Sequence, residues 1–200
     1  MTTARRRLDP EQRRGQLLDI GARLFAERPY EDVWIEEVAE LAGVSRGLMY
    51  HYFPTKRDFF AAIVQRASEQ LLSSTEIDPE LPMEQQVSAG LDSYIAYFTK
   101  NPHGVLAVHQ GSLSGDQTIK EIIDWELGVL QQRMLDALAL DGHLREVGTA
   151  AVRGWLAFTK AVCIDQLQHA TMTAEEMREL CLRTLVGALG SSAHLEERPR

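Results

Sequence analysis

The side chains best suited to chemistry in this chain lie in AGVSRGLMYHYFPTK, residues 42–56, where Arg46, Tyr50, His51 and Lys56 are types that bind a polyanion. Cations, a phenol and an imidazole can all donate hydrogen bonds to phosphate oxygens. An arginine can also donate two parallel bonds to guanine O6 and N7. Neighbouring residues extend that chemistry. Ser45 can cap a helix whose exposed first turn is Arg46, Gly47 and Leu48; Gly47 lets the backbone approach a base edge, and Leu48 can touch a thymine methyl. Tyr50 and His51 follow one turn later, within reach of phosphates, and Lys56 opens the next helix. Taken singly, each of these residues is more often a solvated surface group, so the ordered combination carries the reading.

Such a set needs a frame of two short helices joined by a tight turn and braced by a third, the arrangement of a helix-turn-helix reader. The flanking residues supply it. Val38, Ala39 and Ala42 are expected to face inward, with Ala39 small where the two helices cross. Gly43 ends the first helix in the left-handed conformation, and Val44 plugs the core. Tyr52, Phe53 and Phe60 are expected to wedge the pair against the helix that follows. Upstream, Asp9, Pro10 and Gln12 form a helix start, with Leu17, Ile20, Leu24 and Phe25 as an apolar stripe and Pro29 beyond its end.

Helix signals continue to the C-terminus, while sustained alternation and hairpin dipeptides are lacking. The spacing predicts an all-α chain of about nine helices: 10–28, 35–42, 46–52, a helix from the Thr55/Asp58 capping box to 73, then 83–100, 102–111, 117–140, 144–169 and 174–192. Thr173 with Glu176 repeats the capping box, and IDPELP is the expected loop after the fourth helix.

Composition is globular, with 44% apolar and 25% charged residues. The net charge of −8 is unevenly placed: residues 1–60 balance, and all the excess acidity lies in 61–200. Five arginines, Arg5, Arg6, Arg7, Arg13 and Arg14, make the first fourteen residues a basic arm, either a polyanion contact or a solvated terminus. Charge segregated in this way reconciles an acidic protein with a DNA-binding segment. Cys163 and Cys181 show neither disulfide nor zinc spacing, which fits a reducing cytoplasm. No run of 18 apolar residues and no secretory h-region occur, so neither membrane insertion nor secretion is expected. The histidines lack helical pairing or a His-Glu-x-x-His pattern, and no cysteine or serine has a nucleophile's context. Neither metal, cofactor nor catalysis is therefore expected.

VAELAGVSRGLMYHYFPTKRDFF, preceded by GARLFAERPYEDV, resembles the DNA-binding domain of the TetR family of bacterial transcriptional regulators over residues 10–60. The resemblance implies a recognition helix carrying Ser45 to His51, with Tyr50, His51 and Lys56 contacting the phosphate backbone. Trp34 departs from it, since the family usually has a threonine there that caps the second helix and touches a phosphate. A tryptophan cannot cap through oxygen, although its indole N–H can still donate. Glu36, Glu37 and Glu40 are expected to face away from DNA.

The resemblance further implies a helix-turn-helix domain over 1–60 and a helical domain over 61–200 that holds a small-molecule effector and pairs two copies through the last two long helices. Small residues on those helices, including Ala150, Gly154, Ala157, Ala161, Gly187 and Gly190, permit close approach. A two-fold homodimer then requires a palindromic operator on double-stranded DNA. Helical spacing aligns Val87, Leu91, Tyr94 and Phe98 on one helix and Trp155, Phe158, Val162, Asp165 and His169 on another, with Trp125 on a third. These are candidate effector contacts, or ordinary core. Asp165, if buried there, needs a partner or a cationic ligand; otherwise it bonds a nearby arginine or lies at the dimer rim. The expected function is a ligand-responsive repressor. The rivals are a helix-turn-helix DNA binder without a ligand and a helical small-molecule binder or enzyme.

Overall fold

The first helix starts where its capping box requires. In the computed structural model, which describes residues 8–75, 81–138 and 141–193, the Asp9 carboxylate accepts the Gln12 N–H at 2.8 Å and the Asp9 N–H donates back to Gln12 Oε1. Nine α-helices are described: α1 (Pro10–Glu27), α2 (Ile35–Ala42), α3 (Arg46–Tyr52), α4 (Lys56–Ser74), α5 (Met83–Lys100), α6 (Pro102–His109), α7 (Gln117–Leu138), α8 (Gly142–His169) and α9 (Ala174–Ala193). A single 3-10 turn, Tyr30–Asp32, also occurs, and no strand is found among the described residues. Arg5, Arg6 and Arg7 of the basic arm, and most of IDPELP, lie outside the described residues.

Two compact units divide the chain. The first comprises the described residues up to Ala67 with Asn101–Ile119, and the second Ser68–Lys100 with the described residues from Lys120. Residue 60 lies inside α4, so by contact the first unit extends beyond the position read from the motif and also takes in α6.

In the first unit, α1 buries Leu17, Leu18, Gly21, Leu24 and Phe25, whereas Ile20 is half-buried at the edge of the stripe. An aromatic cluster fills the space between helices. Phe25 meets Phe60 edge-on at 4.8 Å, Tyr30 meets Phe60 at 5.1 Å, and Phe53 meets Phe59 at 4.8 Å. Such tilted contacts suit the ring quadrupoles and add to the area that they bury. Phe53 and Phe60 thus wedge as expected, while Tyr52 is half-buried.

The start of α7 is fixed by Asp116. Its buried carboxylate accepts the Ile119 N–H at 3.0 Å and the Arg57 Nε–H at 2.6 Å, its side chain being 2% exposed against 63% for Arg57. The cap satisfies an orphan donor, and the exposed guanidinium supplies a solvent-screened charge. Asp116→Ala is expected to cost about 1–2 kcal/mol, chiefly the lost cap, measured as a lower urea midpoint.

The second unit packs α8 against α9, with α5 against both. Trp155 is anchored there by an indole N–H donated to the Cys181 carbonyl at 2.7 Å. By length and mean hydropathy α8 could cross a bilayer; about a third of that stretch, including Val152, Trp155, Leu156, Cys163 and Ile164, is buried within this unit.

Candidate functional site

Gly43 ends α2 at φ 64° and ψ 40°, a left-handed geometry that favours glycine, and turns the chain within two residues into the next helix. Ser45 then caps α3, its hydroxyl accepting the Leu48 N–H at 3.1 Å. Val38, Ala39 and Ala42 are fully buried beneath the turn. Val44 is only half-buried, and Met49 is the fully buried plug of α3. Because Met49 points inward, Ser45, Arg46, Gly47, Leu48, Tyr50 and His51 all remain exposed along α3.

The second helix contributes more to this surface than its charge suggests. Glu37 is drawn off by Arg28, a two-bond ion pair at 2.7–2.8 Å. Glu36 lies beside Tyr50 of α3. It accepts the Tyr50 hydroxyl at 2.8 Å, and that bond, helped by Arg46 nearby, holds the Glu36 carboxyl below its usual range while raising the Tyr50 phenol. Tyr50 is therefore positioned by the Glu36 carboxylate.

Lys56 is also less free than a solvated lysine. Its ammonium sits over the Tyr30 ring at 4.4 Å and the Trp34 ring at 5.9 Å, and donates to the Glu31 carbonyl at 3.2 Å. Partial burial lowers its pKa, with Glu31 and Asp32 acting the other way. Trp34, at the N-cap of α2, makes no side-chain cap bond and is 66% exposed, leaving a large indole face on the same surface. Arg14 stacks over Phe53 at 5.3 Å.

The second unit contains a partly open cavity of about 420 Å³. Its wall is built mainly by aliphatic side chains, among them Val87, Leu91, Leu130, Met134, Leu185 and Leu189, from α5, α7 and α9. Tyr94 and Trp155 stand on that wall. Of the residues picked out by helical spacing, Val87, Leu91, Tyr94 and Trp155 therefore line the cavity, and the others lie off it. Phe98 is buried against Tyr94, the two rings tilted by 39° with centroids 4.8 Å apart; Trp125 is 44% exposed on α7; Phe158 and Val162 are half-buried elsewhere on α8. Asp165 is not buried at all. It is exposed at the end of α8, 3.1 Å from the His169 ring one turn on. A volume in this range and a predominantly apolar lining suit a small organic molecule.

Polar groups that the sequence reading passed over lie in the same unit. Ser68, Glu126 and Thr159 are buried, with the Ser68 hydroxyl beside the Glu126 carboxyl and the Thr159 hydroxyl beside the Cys181 thiol. Burial raises the Glu126 carboxyl above its usual range, with the Ser68 hydroxyl and Lys160 nearby opposing the rise. A carboxyl whose native pKa exceeds its unfolded one keeps its proton longer in the folded state. Stability therefore falls as pH rises from the unfolded value through the native one. Glu126→Gln is expected to raise the urea midpoint at pH 8 relative to the parent, with the gain vanishing toward pH 4. Cys163, by contrast, has its thiol pushed up to about 12, first by burial and then by Cys181, the opposite of an activated nucleophile.

Comparison with known proteins agrees with this geometry. Residues 17–63, from within α1 into α4, match the family described as bacterial regulatory proteins, tetR family. The chain is 33% identical to the HTH-type transcriptional repressor KstR2 of Rhodococcus jostii, over 66% of this chain and 68% of that protein. It is 28% identical to the HTH-type transcriptional activator FasR of Mycolicibacterium smegmatis, over 83% and 82% respectively. A tetR-family regulator from Streptomyces coelicolor shares the fold with a TM-score of 0.84, covering 94% of this chain and 85% of that one, at 24% identity. A capped, exposed α3 on a Gly43 turn, together with a relative matched over two thirds of its length, establishes that this chain belongs to the tetR family of bacterial regulatory proteins, helix-turn-helix DNA-binding regulators of transcription.

Proposed function

We propose that this protein is a cytoplasmic, homodimeric repressor that leaves a palindromic operator when a small molecule fills the second unit. The observation that carries the proposal is the pairing, in one chain, of an exposed α3 with an apolar cavity of about 420 Å³. In this reading Arg46, Gly47 and Leu48 read base edges, while Ser45, Tyr50, His51 and Lys56 position the backbone. The cavity wall, including Tyr94 and Trp155, holds the effector. No catalytic role is assigned to any residue.

Continuity of two helices supports communication between the functions. Both α4 and α7 begin in the first unit and continue in the second. Leu130, Met134 and Leu138 of α7 lie on the cavity wall, and the first turn of the same helix is tied by Asp116 to Arg57, next to Lys56. An effector that favours one setting of α7 would shift the population of α4 settings and so the spacing of two recognition helices.

Pairing through α8 and α9 is supported by their surfaces. Gly154, Ala157 and Ala161 are exposed on α8; Val186, 70% exposed, and Gly190 are exposed on α9. A methyl group added at Gly154 or Gly190 would meet nothing within 4 Å inside the protomer, so internal packing does not explain these glycines. A closely approaching partner helix does.

The test is selection of binding sites from a random duplex pool at about 0.15 M salt, where non-specific attraction is partly screened. A two-fold palindrome with half-sites about one helical turn apart is expected. Recovery of no preferred sequence overturns the reading.

A further inference from the structure

We propose that the indole of Trp34 is a DNA contact, its face packed against a deoxyribose of the operator backbone. This rests on reading α3 as the helix that enters the groove. The observation behind it is a residue that serves the fold badly where it stands. Trp34 occupies the N-cap of α2 and makes no side-chain cap bond, whereas Asp9 and Ser45 supply that acceptor to α1 and α3. A helix start without one forgoes stability. The residue is also 66% exposed, although tryptophan is highly buried on average. A side chain that breaks two local rules with no gain in folding points to function.

The lysine beside it does not account for the ring. Lys56 Nζ lies 4.4 Å from the centre of the Tyr30 ring but 5.9 Å from that of Trp34, near the limit of a cation–π attraction. Tyr30 is moreover fixed in place, stacked on Phe25 at 5.7 Å and edge-on to Phe60 at 5.1 Å. The lysine is therefore held chiefly by Tyr30, and the Trp34 ring is left largely to solvent.

Its position favours the DNA backbone as the occupant. Two residues beyond Trp34, the Glu36 carboxylate accepts the Tyr50 hydroxyl at 2.8 Å and so ties the start of α2 to α3. Lys56, at the start of α4, flanks the indole with a cation. Trp34 is thus continuous with two residues assigned to phosphates. In a helix-turn-helix the first of the two helices crosses the backbone while the second enters the groove, so the start of α2 meets sugar and phosphate. An indole suits that partner, with an apolar face for the sugar and a lone N–H donor for a phosphate oxygen. Neither feature distinguishes one base pair from another.

Trp34→Thr supplies the missing cap oxygen and removes the ring. In the full-length chain it is expected to raise the melting temperature by roughly 2–4 °C. It is also expected to weaken binding to the selected operator and to a random duplex of the same length alike, by about threefold to tenfold. The slope of log affinity against log salt should match the parent, since an apolar contact releases no counterions. Trp34→Phe keeps a ring and should keep most of the affinity. Fluorescence supplies a direct readout. The chain has three tryptophans, so the difference in emission between the parent and Trp34→Phe isolates Trp34. The operator is expected to quench that share.

Full affinity in Trp34→Thr, or a Trp34 emission that DNA leaves unaltered, overturns the proposal. A melting temperature lowered together with affinity also overturns it, because the ring then serves the fold. Altered base preference in Trp34→Thr moves the contact from the backbone to a base edge and overturns the sugar assignment. Arg46→Ala is measured on the same duplexes. If it relaxes base preference while Trp34→Thr changes nothing, α3 reads the operator and only the Trp34 contact is wrong. If neither variant changes binding, the placement of α3 in the groove fails, and the contact fails with it.

Discussion

Gly21→Ala is expected to destabilise the first unit by about 2 kcal/mol, lowering the melting temperature by roughly 4–8 °C, although the same change improves helix propensity. A Cβ built on Gly21 would stand 2.3 Å from Phe59 Cζ, 2.6 Å from Phe59 Cε1 and 2.7 Å from Ile63 Cδ1. These atoms cannot simply swing away. Phe59 is fully buried, 4.8 Å from Phe53 and 6.2 Å from Phe25, so displacing its ring disturbs the cluster on which α3 rests. Overpacking of this kind typically costs about 1–3 kcal/mol, which exceeds the gain of up to about 1 kcal/mol from replacing a helical glycine. Gly15, in the same helix, is the control. A methyl there meets nothing within 4 Å, so Gly15→Ala should stabilise by about 0.5–1 kcal/mol. Opposite signs from one substitution in one helix would isolate close approach as the reason for glycine at position 21. Equal signs would mean that the α1–α4 contact relaxes freely.

The contrast between those glycines also marks what could be read in the sequence. Local chemistry was legible because it is written in neighbouring residues. Asp9 with Gln12, Gly43, Ser45, Thr55 with Asp58 and Thr173 with Glu176 set helix ends that the structure places within a few residues of expectation. The cavity was only partly legible because its wall is assembled from separate helices. Tyr94 and Trp155 reach it, but Phe98, one turn from Tyr94 on the same stripe, is taken up by packing behind it. An aromatic stripe shows which face of a helix is buried, not whether the facing helix leaves a gap. Most of the gap is bounded by leucine, valine and methionine, residues equally at home in a closed core. Asp165 shows the same limit, since its place in the helical stripe left burial and an exposed ion pair both open, and it lies near the end of α8 with His169, not an arginine, beside it.

Arg46→Ala is expected to weaken binding to the selected operator by about 10–100-fold and to relax preference at one base pair in each half-site, with little change in folding stability. The structure makes this a clean test, since Arg46 is exposed at the first turn of α3 and the cap beneath it belongs to Ser45. Lys56→Ala should behave differently. If the lysine meets a phosphate, the slope of log affinity against log salt should shrink by about one without altering base preference. Its ammonium is already held by the Tyr30 ring and the Glu31 carbonyl, so some stability should be lost as well. The outcome decides what that arrangement is for. A reduced salt slope means that the aromatic face and the carbonyl pre-position a cation for DNA, saving ordering entropy on binding. An unchanged slope with lowered stability means that Lys56 is a structural strut, and phosphate contact at this edge then falls to the exposed indole of Trp34, whose replacement by phenylalanine removes the N–H and keeps an aromatic ring. In either case Arg46 must change the sequence read. If it changes affinity alone, α3 touches the operator without reading it through this residue, and the base-edge assignment moves to Gly47 and Leu48.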